Sequence, residues 1–263
     1  MRRAATRRRP GSATLPALAL AALAAVCPAH ATSLQITPVR IDLPAGAGAA
    51  ALTLRNQGNT PIHAQVRVYR WTQDDGNDAL GATEEVVASP PIVRIQGGAD
   101  QLVRIVRPAP ATPSDRPGGE AAYRLLIDEL PVPDAVPDAS GVKLQLRYSV
   151  PVFAGTPANT APPRLVMHLW RNEDGNSDGN NKRGWILSVR NAGQRHARLS
   201  DIALVNAGQR INVASGLFGY ALPGAMRIWK INLPANFAPA SSMRLDGAVN
   251  GEPQSLPVTA GRP

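Results

Sequence analysis

From Gly141 to Phe153 the chain reads GVKLQLRYSVPVF, with apolar side chains at Val142, Leu144, Leu146, Tyr148, Val150 and Val152 and polar ones between them. A period of two predicts a β-strand whose one face is a hydrophobic row and whose other face carries Lys143, Gln145, Arg147 and Ser149. Such a row has to be covered. If its own domain covers it, the segment is a core strand; if part stays open, it is a site for a partner that lacks a strand.

Similar short runs, separated by Gly, Pro, Asn and Asp, recur upstream. Ser33 to Leu43, Ala51 to Arg55, Ile62 to Thr72, Ile92 to Ile95, Leu102 to Arg107, Tyr123 to Leu130 and Val142 to Phe153 are the predicted strands, and no segment sustains a capped helical period. Turn signals such as Asn56-Gln57-Gly58-Asn59 and Gly97-Gly98 punctuate them, which fits an immunoglobulin-like sandwich. Alternation predicts inward faces at Leu52 and Leu54, Val66, Val68 and Trp71, Leu102 with Ile105 or Val106, and Leu125, Ile127 and Leu130.

AGTPANTAPP, at 154–163, has linker composition. Beyond it, Arg164 to Trp170, Gly184 to Asn191, Ala197 to Asn206, Arg210 to Ala214, Met226 to Leu233, Ser242 to Val249 and Pro253 to Val258 predict a second, smaller sandwich. The expected organisation is all-β, with a first immunoglobulin-like domain at 32–153, a linker at 154–163 and a second β-sandwich at 164–263.

The first 31 residues read as an export signal: Arg2, Arg3, Arg7, Arg8 and Arg9, a short apolar stretch from Leu15 to Val26, then Ala29-His30-Ala31 as a cleavage site. Cys27 follows Val26, where a lipoprotein signal needs a small residue, so cleavage is expected after Ala31. Removing the signal lowers the formal net charge from +9 to +4 and takes the only cysteine with it. Disulfides, thiol nucleophiles and cysteine-bound metals are thereby excluded from the mature chain, and nucleic-acid binding loses most of its basic charge. About 230 residues remain, enough to bury a core without staples and without an apolar stretch of membrane length. The expected product is exported and soluble.

Catalytic and metal signatures are missing from the sequence. His63, His168 and His196 have no metal-ligand spacing and read as scattered surface or edge residues. No strained elbow sets a serine beside a base. Asp174-Gly175-Asn176-Ser177-Asp178-Gly179 opens like a calcium loop, but Trp185 stands where the pattern needs Glu, so it reads as a hairpin tip, as does Asp74 to Asp78. No enzyme activity, metal or cofactor is expected.

TPVRIDLPAG at Thr37 to Gly46, LRNQGNTPIHAQVRVYRW at Leu54 to Trp71, ASPPIVRIQGGADQLVRIV at Ala88 to Val106, YRLLIDELP at Tyr123 to Pro131 and RYSVPVF at Arg147 to Phe153 occur in fixed order between a signal and a second sandwich. In this the chain resembles the periplasmic pilus and fimbrial assembly chaperones of the chaperone–usher pathway. YRLLIDELP and RYSVPVF look most like the divergent branch associated with spore-coat-protein-U-like pilins. The resemblance implies two immunoglobulin-like sandwiches in a boomerang, with a cleft that binds an incomplete pilin subunit. Its last first-domain strand lends alternate apolar side chains to the subunit, and Val142, Leu144, Leu146 and Tyr148 match that donor row. Arg40 matches the first-strand arginine that anchors the subunit's terminal carboxylate. Arg147 is the counterpart chosen for the second anchor, with Ser149 and Lys143 at neighbouring registers. The implied partners are pilin subunits and an outer-membrane usher, with no nucleic acid and no membrane insertion, in the periplasm. The rival reading is a secreted two-domain adhesive or structural module whose Val142 strand is fully covered.

Overall fold

The computed structural model describes residues 34–108, 119–131, 145–156, 161–172 and 184–263, and these are built from strands and turns alone. Ten strands build the first sandwich, the last running three residues into the expected linker: β1 (Leu34–Thr37), β2 (Ile41–Pro44), β3 (Ala49–Asn56), β4 (Ile62–Asp74), β5 (Asn77–Ala82), β6 (Val87–Ser89), β7 (Ile92–Ile95), β8 (Asp100–Val106), β9 (Ala121–Leu130) and β10 (Arg147–Thr156). They form one sheet in the order β1-β3-β8-β6 and another in the order β2-β10-β9-β4-β5, where β7 also pairs with β4. Eight more follow: β11 (Leu165–Arg171), β12 (Trp185–Asn191), β13 (Ala197–Asn206), β14 (Gln209–Ala221), β15 (Met226–Ile231), β16 (Arg244–Val249), β17 (Glu252–Pro257) and β18 (Thr259–Ala260). These make the sheets β15-β12-β11-β18 and β14-β13-β16-β17.

The run expected as one strand from Ser33 to Leu43 is two strands in different sheets. β1 pairs with β3, while β2 pairs in parallel with β10. Pro38 has no N–H to give a ladder, so the chain breaks there and crosses from one sheet to the other. The short β5 and β6 lack the alternation that predicts strands, and β14 extends seven residues beyond the expected Ala214.

Apolar alternation sets the cores. Leu52, Leu54, Val103, Ile105, Leu125 and Ile127 are fully buried between the first two sheets. Burying each such side chain contributes about 1.5–3 kcal/mol. The expected inward Leu102 is instead 47% exposed, because Val103 and Ile105 hold the inner phase of β8 and a period of two turns Leu102 outward.

Each sandwich closes one corner with the same device. Asn56 donates from Nδ2 to the carbonyls of Thr60 (2.7 Å) and Ile95 (3.1 Å) and accepts from the Gly58 N–H (2.9 Å). Asn191 repeats this with Arg195 (2.8 Å), Ala221 (3.0 Å) and Gly193 (2.9 Å). Both amides are fully buried with their donors and acceptor used, which is what lets a polar side chain sit in an apolar corner.

The sandwiches meet on a third apolar cluster formed by Trp71, Ala122, Phe153, Tyr220 and Leu222. Gln73 stitches across it, donating to the Tyr220 carbonyl (2.8 Å) and accepting from the Leu222 N–H (2.9 Å). At its edge the His196 ring stacks on Phe153 with centroids 3.5 Å apart, and Nδ1 lies 2.7 Å from Glu120 Oε1. His196 is therefore buried at the junction rather than a surface residue; its Nε2 has no hydrogen-bond partner. The β4–β5 turn reaches the second sandwich as well, where the Ile228 N–H donates to the Gly76 carbonyl at 3.0 Å.

Candidate functional site

The strand that the sequence singles out has two halves. On one side β10 is paired with β9 from Arg147 to Ala154, and the Glu129 N–H donates to the Leu146 carbonyl at 3.0 Å, carrying that pairing one residue further back. On the other side β2 joins only from Val152. Among the described residues, the outer edge of β10 before Val152 has no ladder partner. Because Leu146 bonds toward β9, alternation turns the backbone groups of Arg147, Ser149 and Pro151 outward. Two free N–H donors and two free carbonyls, those of Arg147 and Ser149, therefore line an open edge, while Pro151, which has no donor to leave unpaired, sits where β2 begins to pair.

The hydrophobic row divides at the same place. Val150 and Val152 are buried in the first sandwich's core. Tyr148 is half-buried against that core, and its hydroxyl donates to Glu129 Oε1 at 3.1 Å. Burial, and then the Glu129 charge, push the Tyr148 phenol up from its usual value. Leu146, one step earlier in the row, is 43% exposed. Val142 and Leu144 lie outside the described residues, as do Lys143, the 174–179 loop and the export signal.

The two anchor candidates stand apart. Arg40 is half-exposed and bonds Asp42 at 2.9 Å. Extending the β2–β10 register by one residue sets Arg40 beside Pro151, four residues from Arg147, or about 13 Å along the strand. Arg147 is exposed and its Nε donates to Asp128, which also accepts from Arg67 at 2.7 Å. Burial would push the Asp128 carboxyl up, but the hydrogen bonds and charges of Arg147 and Arg67 outweigh it and hold the group below the usual carboxylate range. Gln65, Arg67, Asp128, Glu129, Leu146 and Arg147 line a hollow of about 440 Å³ beside the start of β10.

Sequence reasoning passed over Arg124. It lies on β9 opposite Pro151 and Tyr69, with its guanidinium carbon 3.6 Å from the Trp71 ring centroid and 5.5 Å from that of Tyr220. Burial lowers its pKa from the ordinary arginine value, with the Asp78 and Tyr220 charges acting the other way. The signal was a charged residue within the otherwise apolar run from Ala121 to Ile127; only the register shows that it faces the junction. The Glu120–His196 pair was likewise invisible, being 76 residues apart. Among the described residues, no three His, Cys, Asp or Glu side chains gather to hold a metal ion.

Residues 33–160 match the model of the family described as pili and flagellar-assembly chaperone, PapD N-terminal domain. Chaperone protein FimB/FhaD of Bordetella pertussis is 35% identical over 147 residues, which cover 53% of this chain and 55% of that protein. The chain thus matches about half the length of this curated relative. Among solved structures, the fold is similar to a chain of the CsuC–CsuE chaperone–tip adhesion subunit pre-assembly complex from archaic chaperone–usher Csu pili of Acinetobacter baumannii. That match has a TM-score of 0.64 at 24% identity, covering 88% of this chain and 100% of the other. A chain of the Salmonella enterica SafA pilin–SafB chaperone complex matches with a TM-score of 0.54 at 19% identity, over 85% of this chain and 94% of the other. The first sandwich thus matches a PapD-type chaperone N-terminal domain over residues 33–160, and with the second sandwich the chain has the two-domain immunoglobulin-like fold of these solved structures.

Proposed function

We propose that this protein is a periplasmic chaperone that holds pilus subunits by donating the strand around Val142–Leu146 to them, and that it passes them to an outer-membrane usher. The observation that carries the reading is the division of β10: its C-terminal half is core, and its N-terminal half presents an open backbone edge next to the exposed Leu146. A subunit lacking one strand has the complementary defect, an apolar groove flanked by unpaired edges. Insertion of Val142, Leu144 and Leu146 would cover the groove, at about 1.5–3 kcal/mol for each side chain fully buried. The chain's matched relatives support this: the matched family model is one of chaperones, and two similar solved structures are complexes of a chaperone with a tip adhesion subunit and with a pilin. Spore-coat-protein-U-like pilins are the proposed subunit class, and the N-terminal 31 residues the proposed export signal.

Arg40 and Arg147 are the proposed contacts for the subunit's terminal carboxylate. Each is already bonded to an aspartate, so capture requires them to share or exchange that partner. The domain limits 32–153 and 164–263 remain part of this proposal.

Co-expression in a periplasm with the neighbouring pilin-like gene tests the reading. A one-to-one complex is expected, with the pilin resistant to protease, and Leu144→Asp should abolish it while the isolated chaperone stays folded, since a charge cannot enter an apolar groove unpaired. A pilin that is soluble and stable alone and forms no complex would favour the adhesive-module reading instead.

A further inference from the structure

We propose that the outward face of the six-stranded sheet is a guanidinium platform that receives acidic side chains of the bound subunit, with Arg94 and Arg124 as its unpaired cations. The inference rests on the chaperone reading above and specifies what kind of subunit surface that chaperone fits.

The register builds the platform row by row. Cross-strand partners share a face, and on this face successive rows hold Arg94 beside His63, Arg147 beside Asp128 and Gln65, Arg67 beside Leu126, and Arg124 beside Tyr69. Four consecutive rows thus carry at least one guanidinium each, over about 20 Å at the usual strand rise, and Arg40, held by Asp42, joins the Arg124 row beside Pro151. The only carboxylate among those rows is Asp128, and Arg67 and Arg147 share it. Arg94 and Arg124 form no ion pair with a described residue. The face continues toward the junction into Trp71 and Phe153, so it is one wall of the space between the sandwiches.

Arg124 is the informative member. It is half-buried and stacked on Trp71, and Asp78 acts on it through its charge without an ion-pair contact. A cation held partly out of water costs free energy that a carboxylate arriving from a partner would offset. Its stacked geometry is already fixed, so little side-chain freedom is lost when that carboxylate binds. A strand added to the open edge of β10 would bring the rest of the subunit over this face. Acidic side chains on the subunit would then meet the rows in register and speed its capture.

The test is the rate of subunit association measured from 0.05 to 0.5 M salt, using the chain and the neighbouring pilin-like protein. For the natural chain the rate should fall about tenfold or more across that range, and an Arg94→Gln/Arg124→Gln double variant should be roughly tenfold slower at low salt and equal to it at high salt. Thermal unfolding checks the fold of the variants, and Arg124→Lys, which keeps the charge, should recover most of the rate. A rate indifferent to salt and to the double substitution, in a chain that still captures the subunit, would overturn the platform. Failure to capture under any condition would overturn the chaperone reading beneath it. Neutralising the subunit's surface Asp and Glu should flatten the salt dependence; if only blocking its terminal carboxylate does so, the platform reads a chain end and the proposal is wrong.

Discussion

Leu146 and Val150, four residues apart on one hydrophobic row, are chemically alike and differently placed. Val150 is 4% exposed and Leu146 43% exposed. Val150→Asp should therefore cost several kcal/mol of stability, on the order of 3 or more, by burying a charge in the core. Leu146→Asp should leave the urea midpoint almost unchanged and weaken subunit capture. Asp128 supports a pH prediction. Its carboxyl is held below its unfolded value, so its ion pairs stabilise the fold above pH of about 4, and that contribution is lost as pH falls through the depressed value. Asp128→Asn should flatten the acid limb of the stability profile below about pH 4, read as the urea midpoint against pH; an unchanged limb would show that other carboxylates set it.

At the scale of elements, the β4–β5 hairpin is both a turn and a contact between sandwiches. Gly76 has φ +78°, and a Cβ there would come within 2.5 Å of the Ile228 side chain. Gly76→Ala should lift the hairpin from β15, seen as faster hydrogen exchange at the Ile228 amide, which now bonds the Gly76 carbonyl. The turn itself was legible from Asp74 to Asp78, since Asp, Gly and Asn suit positive φ; its docking was not, because no local pattern encodes a neighbour 151 residues away. Strong alternation revealed β3, β4, β9 and the described part of β10. It failed where strands are short and alanine-rich, as in β5, and where a break at Pro38 left both fragments apolar. Leu102 was misassigned because Leu102 and Ile105 cannot share a face at a period of two. Such parity is decided by the partner strand's register, which sequence does not display.

For the whole molecule, the junction joins the two sandwiches through residues that are distant in sequence. Glu120 and His196 are each almost fully buried, 1% and 2% exposed as side chains, and Phe153 covers the imidazole. His196→Ala removes a partner of a buried carboxylate and a stacked ring together, and should lower stability by on the order of 3 kcal/mol, measured by urea unfolding followed through Trp71 at the same junction. A change under about 0.5 kcal/mol would mean that the apolar cluster alone holds the sandwiches. The candidate site was legible in outline for a related reason. The donor row and Arg40 are local sequence features, whereas Arg124, Glu120 and the rows of the platform exist only once four strands are placed side by side.

The central claim, that β10 adds its open edge to a subunit, is tested most directly by residue-level hydrogen exchange with and without bound subunit. Outward-facing amides at Arg147 and Ser149 should exchange fast in the free chain and be protected in the complex, while Val150 and Val152 stay protected in both. A complex that forms while the Arg147 and Ser149 amides go on exchanging freely would contradict strand addition at this edge.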